Sequence, residues 1–174
     1  MGAKGKGSAW ERDICKYLSK WIQKTEKPYL FWRQPLSGGL ATINELNKDL
    51  SGDIRSISPD SEWWPFSVEA KTGYPKTSFW QHFKNIKNFN IKDFWIQCLN
   101  DAKKANKYPM LVYKKKMKNP IVGINSTVDY LLKSKSKNLS SIRMNWKDLE
   151  SITFYDFRDF FDIITPEDIK GLNK

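Results

Sequence analysis

Residues 52–71 read GDIRSISPDSEWWPFSVEAK, and their pattern is the most informative about the fold in this sequence. Its first part, residues 53–57, alternates polar and apolar side chains as a half-buried strand does. The turn residues at 58–60 precede a second strand over about residues 65–71, so the stretch predicts a β-hairpin. Residues two apart in a strand face the same side. Glu69 and Lys71 should therefore project together, while Val68 and Ala70 face the core.

The hairpin places Asp53, which opens its first strand, beside Glu69 and Lys71. Magnesium prefers oxygen ligands and takes one or two carboxylates, with water and phosphate completing its shell. Asp53 and Glu69 are thus candidate metal ligands, and the backbone carbonyl of Ala70 is a third. A bound metal polarises phosphate and lowers the pKa of an attacking water, and Lys71 would orient that water or offset developing charge. A Glu-x-Lys pair by itself is most often an ordinary solvated strand face. The second carboxylate, from Asp53, is what makes a catalytic site the better interpretation.

On either side of this hairpin, apolar periodicity and capping signals predict the other helices and strands. Ser8 and Glu11 form a capping-box pattern that starts a helix ending near Lys24. The remaining signals indicate a strand at Tyr29–Arg33, a polar loop from Ser37, a helix over 93–105, strands at Met110–Tyr113 and Ile121–Ile124, an exposed basic loop at 133–137, and a helix capped by Thr165 with Pro166 at its first position. Residues 152–164 fit strand and helix equally.

Composition indicates one folded domain with a polyanionic partner. The 174 residues carry 30 Lys+Arg against 19 Asp+Glu, a formal net charge of +11. Such a basic domain is typical of nucleic-acid binding, although lysines that only confer solubility are the alternative. We expect a flexible basic arm at 1–7, a core at 8–115 and a C-terminal elaboration at 116–174, with Lys4 and Lys6 of the arm contacting DNA.

Several protein classes are excluded by what the sequence lacks. His82 is the only histidine, so a zinc site with several histidine ligands cannot be assembled. A Ser–His catalytic triad could use only His82, and no nucleophile-elbow motif accompanies it. No phosphate-binding Walker loop occurs, and we expect no nucleotide cofactor. Cys15 and Cys98 lack metal-type spacing and are interpreted as buried thiols in a reducing compartment. There is no apolar run near 18 residues and no signal-peptide core, which predicts a cytoplasmic protein, in host cytoplasm if a virus encodes it.

Taken in order, the motifs resemble those of the PD-(D/E)xK nuclease superfamily, most closely Holliday junction resolvases of the archaeal type and their phage relatives. The resemblance covers roughly residues 4–115 and rests on Lys4–Ser8, Trp10-Glu11-Arg12, Arg33, Ser37-Gly38, Gly52-Asp53-Ile54, Glu69-Ala70-Lys71, Trp95-Ile96-Gln97 and Pro109–Tyr113. It departs from the superfamily pattern at Gly52, which stands where the superfamily name has proline. The implied fold is α/β, a restriction-endonuclease-like core with a central mixed β-sheet flanked by helices.

The resemblance also implies roles for individual residues. Glu11 would join Asp53 and Glu69 at the metal, and Lys71 would be the catalytic lysine. Ser37 would lie on a catalytic loop near the scissile phosphate. Arg33 and Gln97 would contact DNA, and Gln97 could instead support the site from its helix. Each of these residues also has a purely structural alternative. Glu11 could only complete the capping box, Ser37 could only form a turn, and Gln97 could only be a solvent-exposed helix residue.

The expected activity is cleavage of branched double-stranded DNA, with Mg²⁺ as cofactor and Mn²⁺ as a possible substitute. Four-way junctions would be resolved by paired symmetric nicks, which requires a C2 homodimer; the aromatic segment 154–161 is a candidate interface. Tyr74 and Trp80 are candidate stacking residues. The alternatives are a restriction, repair or fork-cleaving nuclease of the same fold, or a non-catalytic protein that binds branched DNA.

Overall fold

The computed structural model describes residues 3–24, 30–34, 51–74, 77 and 90–173, and within these the side chains of residues 3–6 and 173 are not described. Its elements are α1 (Ala3–Gln23), β1 (Phe31–Arg33), β2 (Ile54–Ser56), a 3-10 turn (Pro59–Ser61), β3 (Phe66–Thr72), α2 (Asn90–Ala105), β4 (Tyr108–Lys114), β5 (Ile121–Asn125), α3 (Ser126–Leu131), α4 (Lys133–Ser136), β6 (Ser141–Trp146), β7 (Leu149–Asp156), α5 (Phe157–Ile163), α6 (Pro166–Lys170) and a 3-10 turn (Gly171–Asn173). None of the helices in these ranges combines the length and apolar character needed to cross a bilayer.

A seven-stranded mixed sheet, in the order β1-β2-β3-β4-β5-β7-β6, organises the chain. Among the described strands, only β3 and β4 run parallel; the other neighbours are antiparallel. Parallel neighbours need a long crossover, and α2 forms the described part of that connection. The predicted α/β fold with a mixed sheet between helices is confirmed, and the predicted hairpin is β2–β3, in register at Ile54 and Val68.

Alternation along the strands divides the core into two layers. Residues of β3 and β4 such as Val68 and Met110 face α1, and the neighbouring Leu111 faces α2. The α1 layer includes Trp10, Ile14, Leu18, Val68, Met110, Val112, Phe160, Phe161 and Ile169. The α2 layer includes Phe94, Trp95, Cys98, Leu111, Tyr113, Ile152 and Phe154. Cys15 and Cys98 are both free and buried, as predicted.

The C-terminal part of the chain forms much of this architecture. Residues 116–173 contribute β5, β6 and β7 to the same sheet, and α5 and α6 pack into the α1 layer. The structure corrects the prediction that the aromatic segment 154–161 forms a dimer interface. The five aromatic side chains of this segment are all buried inside the chain: Phe154, Tyr155, Phe157, Phe160 and Phe161. Side chains that already fill the core cannot also contact a partner.

The ambiguous segment 152–164 contains both a strand and a helix. β7 ends at Asp156, whose Oδ1 accepts hydrogen bonds from the backbone N–H of Arg158 (2.9 Å) and Asp159 (3.3 Å). This side-chain cap satisfies N–H groups that lack partners within the helix and so starts α5. The predicted cap at Thr165 is confirmed: its hydroxyl and the Asp168 carboxylate form a reciprocal capping box, with Pro166 in the first turn.

Two predictions about the basic segments are wrong. α1 begins at Ala3, so most of the expected arm at 1–7 is helical and Ser8 lies inside the helix rather than capping it. Extending a helix costs far less than starting one, and the buried face from Trp10 onward sustains more than one further turn upstream. Residues 133–137 are no open loop either, since α4 covers Lys133–Ser136 and buries Ser136.

Candidate active site

Asp53 is held at the entry to β2 by three backbone contacts. Its N–H donates to the carbonyl of Val68 (2.8 Å), and its own carbonyl accepts from the N–H of Gln34 (2.7 Å). Its carboxylate Oδ2 accepts from the N–H of Ala70 at 2.8 Å. The buried carboxylate is thereby fixed against β3. The N–H and C=O of a strand residue point to the same side of the strand, so the carbonyl of Ala70 also points towards Asp53.

Gly52 makes this close approach possible. Its φ is +83°, a conformation that L side chains rarely adopt. A Cβ on this residue would lie 2.9 Å from Ser67 Oγ and 3.0 Å from the backbone carbonyl oxygen of Val68. Proline, which has φ near −65°, cannot occupy the position. The departure from the superfamily pattern at residue 52 therefore reflects a local backbone conformation that only glycine suits.

Gly52→Ala is expected to lower the free energy of unfolding by about 1–3 kcal/mol, because it combines positive-φ strain with a clash against the β3 backbone. It should also reduce any cleavage activity, since the strain displaces the adjacent Asp53. Urea unfolding measures the first effect. Gly171→Ala is the matched control: Gly171 has φ −62°, and an added Cβ there meets no atom within 4 Å. Equal stability of the two variants would contradict the prediction.

Glu69 is a buried carboxylate without adequate hydrogen-bond donors. It is 1% exposed and lies under α2, on the face of β3 opposite Val68. Within the described part of the chain, Oε2 accepts no hydrogen bond, and the one partner of Oε1 is the ammonium of Lys71, which forms an ion pair with it. Burial, and secondly the nearby charge of Asp53, raise the pKa of Glu69 to about 8, and Lys71 only partly offsets them.

Lys71 stays protonated despite its partial burial. Burial by itself lowers the pKa of the ammonium, but the charges of Glu69 and Asp53 outweigh it, and the net pKa is raised. The ammonium also donates a hydrogen bond to Oε1 of Gln97 on α2 at 3.0 Å, and it lies 5.6 Å from the centroid of the Phe94 ring. This contact agrees with a supporting role for Gln97, and both the supporting role and the DNA contact remain predictions.

The residues present fit a divalent cation. Burial raises the pKa of Asp101, one turn beyond Gln97 on α2, and the charge of Asp53 adds to that effect. Within the described ranges, no three His, Cys, Asp or Glu side chains converge as a complete metal-binding set. Two carboxylates are nevertheless sufficient for magnesium, since water and phosphate fill the remaining positions. Asp53, Glu69 and the Ala70 carbonyl are the groups that would hold the cation.

The raised pKa of Glu69 predicts a pH-dependent stability. The ordinary value is 4.5 and the folded value about 8, so between these values the folded chain binds a proton that the unfolded chain has lost. The free energy of unfolding without divalent ions should therefore fall as pH rises from about 5 to 8. Each unit of pKa difference is worth about 1.4 kcal/mol, so the loss should be a few kcal/mol.

Urea unfolding in EDTA across this range measures the effect, and Glu69→Gln is its control. The glutamine variant cannot ionise and should show a much flatter profile. Lys71 does not complicate the comparison, because its pKa is raised above the ordinary 10.5, outside the tested range. An identical slope in wild type and Glu69→Gln would assign the pH dependence to other groups.

Glu11 and Arg33 lie on the α1 face of the sheet. Arg33 Nε donates to Glu11 Oε2 at 2.9 Å. Arg33 is in register with Ile54, and Ile54 with Val68, so all three face α1, whereas Glu69 faces α2. The metal role of Glu11 and the DNA role of Arg33 remain predictions. The capping-box alternative for Glu11 is wrong, because Ser8 is not the cap.

Two of the candidate residues, Ser37 and Trp80, lie outside the described residues. Lys4 and Lys6 belong to α1, but their side chains are not described. Tyr74 is 39% exposed and packs against Phe94 with ring centroids 4.7 Å apart. Asp101 was missed by sequence reasoning, although its position four residues after Gln97 places both on one helix face.

Comparison with known proteins identifies one family. The profile of a family described as "phage putative PDDEXK endonuclease" matches residues 2–171. No curated protein and no solved structure gave a significant match to the chain. The matched span supports the predicted superfamily and extends beyond the predicted resemblance at 4–115 to include β5, β6 and β7. It does not distinguish junction resolvases from other nucleases of this type.

Proposed function

This chain belongs to the phage PDDEXK endonuclease family, and we propose that it is a Mg²⁺-dependent endonuclease that nicks four-way DNA junctions at a centre formed by Asp53, Glu69 and Lys71. Nucleases of this superfamily generally use divalent metals. The observation that carries the proposal is the pairing of two carboxylates and a charged lysine at one position on β2 and β3. A buried Glu69 with so few donors is costly in a chain that binds no cation.

Each residue has a separate task in the proposed reaction. Asp53 and Glu69 would hold Mg²⁺, which when bound polarises the scissile phosphate and lowers the pKa of water. Lys71 is already protonated and therefore serves as a donor rather than a base: its ammonium orients the attacking water and offsets charge on the phosphate. Gln97 keeps the ammonium in place. Water attacks phosphorus directly and loses a proton to solvent, while the bond from phosphorus to the 3′ oxygen breaks and that oxygen takes up a proton, leaving 5′-phosphate and 3′-hydroxyl ends.

Charge and motif order support branched DNA as the substrate. The net charge of +11 suits a polyanion, and the order of the motifs between residues 4 and 115 resembles the resolvases. One site per chain cuts one strand, so a C2 homodimer would deliver two symmetric nicks. Mn²⁺ should substitute for Mg²⁺. The competing functions are cleavage of other DNA by the same centre, as in restriction or repair, and junction binding without cleavage.

The test is cleavage of an immobile four-way junction, labelled on each strand in turn, with Mg²⁺ or EDTA. A linear duplex of the same sequence is the control substrate. Paired symmetric nicks in the junction alone, lost in EDTA, are the expected result. Equal cutting of the linear duplex would keep the catalytic centre and overturn the junction preference. Tight junction binding with no cutting in Mg²⁺ or Mn²⁺ would overturn the enzymatic function.

A further inference from the structure

An exposed tryptophan and an arginine lie side by side on the sheet face that carries the catalytic carboxylates. Trp32 on β1 is directly opposite Arg55 on β2. Directly opposite residues have Cβ atoms about 5 Å apart on the same face. Trp32 is 41% exposed, and Arg55 is exposed. The two side chains therefore both present surface to solvent.

Strand parity connects this pair to the catalytic centre. Ile54 faces α1, so its neighbours Asp53 and Arg55 both face the α2 side, as Glu69 does. Two residues of an extended strand span about 7 Å. DNA that reaches Asp53 and Glu69 therefore passes within one or two nucleotide steps of Arg55 and Trp32. α2 covers β3 and β4 on this side, and Trp32 remains open at the sheet edge.

The surface beside Arg55 is recessed. A depression of about 630 Å³ runs along β2 from Ser51 past Arg55 and Ile57 to Lys107, which follows α2. Among the described residues of its lining, Glu62 is acidic, and Arg55 and Lys107 are cationic. Positive charge in a groove suits a phosphate backbone, and an adjacent exposed indole suits a nucleobase, whose stacking is tolerant of sequence.

We propose that Trp32 and Arg55 form a binding site for an unstacked nucleotide next to the scissile phosphate, with the base on the Trp32 indole and its phosphate on Arg55. The site rests on the proposed nuclease function and specifies its substrate class: DNA whose stacking is interrupted, as at a flap, gap or branch. Continuous duplex offers no free base face, so Trp32 contributes to its binding only weakly.

DNA binding measured in EDTA at low salt tests the site without relying on cleavage. The probe is a duplex with a short single-stranded flap that carries 2-aminopurine at its first unpaired position, compared with continuous duplex of the same sequence. Base stacking on an aromatic side chain is worth about 1–3 kcal/mol, so Trp32→Ala should weaken flap binding by about 5- to 150-fold. It should also abolish quenching of 2-aminopurine, and affinity for continuous duplex should change little.

Two further variants make the test specific. Trp32→Phe keeps a stacking ring and should retain most of the flap affinity. Arg55→Ala should weaken flap binding and reduce its salt dependence by about one counterion. The matched control is Tyr130→Ala, which removes an aromatic side chain that is 76% exposed on α3, and flap binding should be unchanged. Thermal unfolding of each variant verifies that it folds.

Contrary results separate the possible failures. Unchanged flap affinity in Trp32→Ala, while wild type binds the flap, overturns this site and leaves the proposed nuclease function intact. A dimer that dissociates in Trp32→Ala with DNA affinity unchanged also overturns it and assigns Trp32 to a protein interface. A wild-type chain that binds flap DNA with Trp32-dependent quenching but cuts no substrate would overturn the nuclease proposal and leave the nucleotide site.

Discussion

Asp53→Asn is expected to reduce cleavage by at least about 10³-fold, the largest effect of any single substitution, because it removes one of the two carboxylates that would hold the cation. Asparagine has nearly the same shape, and its Oδ1 can still accept the N–H of Ala70 that Asp53 accepts at 2.8 Å. The β2–β3 contact should therefore survive. Loss of activity would then report the missing charge rather than a displaced strand.

Asp53→Asn should leave DNA affinity and stability unchanged or increase them. DNA affinity in EDTA should rise or stay unchanged, since one negative charge near the phosphate path is gone. The metal-free protein should be at least as stable as wild type, because Asp53 is one of the charges that raise the pKa of Glu69. Single-turnover cleavage, DNA binding and urea unfolding measure the three quantities. Asp93→Asn, an exposed acidic residue of α2, is the control and should behave as wild type.

A contrary outcome for Asp53→Asn is easily recognised. Activity within tenfold of wild type would place the cation elsewhere, and a parallel loss of stability and activity would mean that Asp53 is chiefly structural. Rescue of Asp53→Asn by Mn²⁺ in place of Mg²⁺ would favour a direct metal contact, because the identity of the cation would then compensate for the changed ligand.

Lys71→Met should lower cleavage by about 10²–10³-fold, the usual cost of losing one preorganised donor to a developing charge. Methionine retains the length of the side chain and its packing beside Phe94, so the fold should persist. Because the Lys71 ammonium lowers the pKa of Glu69, that pKa should rise further in the variant. Cation binding would then require the loss of a more tightly held proton and should shift to higher pH.

Both parts of this prediction can be measured separately. Single-turnover rates give the catalytic part, and the thermal shift caused by Mg²⁺ between pH 6 and 9 gives the proton-linked part without any DNA. Lys114→Met is the matched control: this half-buried strand lysine lies 4.7 Å from the Trp10 ring on the α1 face and should leave both readouts near wild type. A Lys71→Met rate equal to that of wild type would exclude the lysine from the chemistry.

Local patterns explain which parts of the fold could be predicted. Strand alternation over residues 53–57 and 65–71 identified β2 and β3, and apolar spacing identified α2 from Phe94, Cys98 and Ala102. The strand-or-helix ambiguity at 152–164 arose because periodicity does not separate strand from helix in a short apolar run, and the cap at Asp156 marks where the strand ends and the helix begins. β6 and α3 were not predicted, since β6 exposes Ser141, Ile142 and Arg143 and lacks a regular apolar face.

Local sequence patterns are sufficient to predict which chemical groups come together: the two-residue period of a strand puts Glu69 and Lys71 on one face, and the short hairpin puts Asp53 beside them. These relations involve neighbours in the chain, so the pattern is readable without a fold. The environment of those groups was decided only by the tertiary structure. α2 arrives some twenty residues later, through a parallel crossover, and it buries Glu69, places Gln97 on Lys71 and adds Asp101.

Tertiary structure also places Glu11 and Glu69 on opposite faces of the sheet. It likewise brings Trp32 beside Arg55, through the pairing of two strands that lie about twenty residues apart in the chain. The burial, the exposure and the pKa of a side chain depend on all of its neighbours in space, and most of those neighbours are distant in sequence. Spacing along the chain therefore identified the candidate catalytic residues, whereas packing across the sheet decided their charge states and the surface open to DNA.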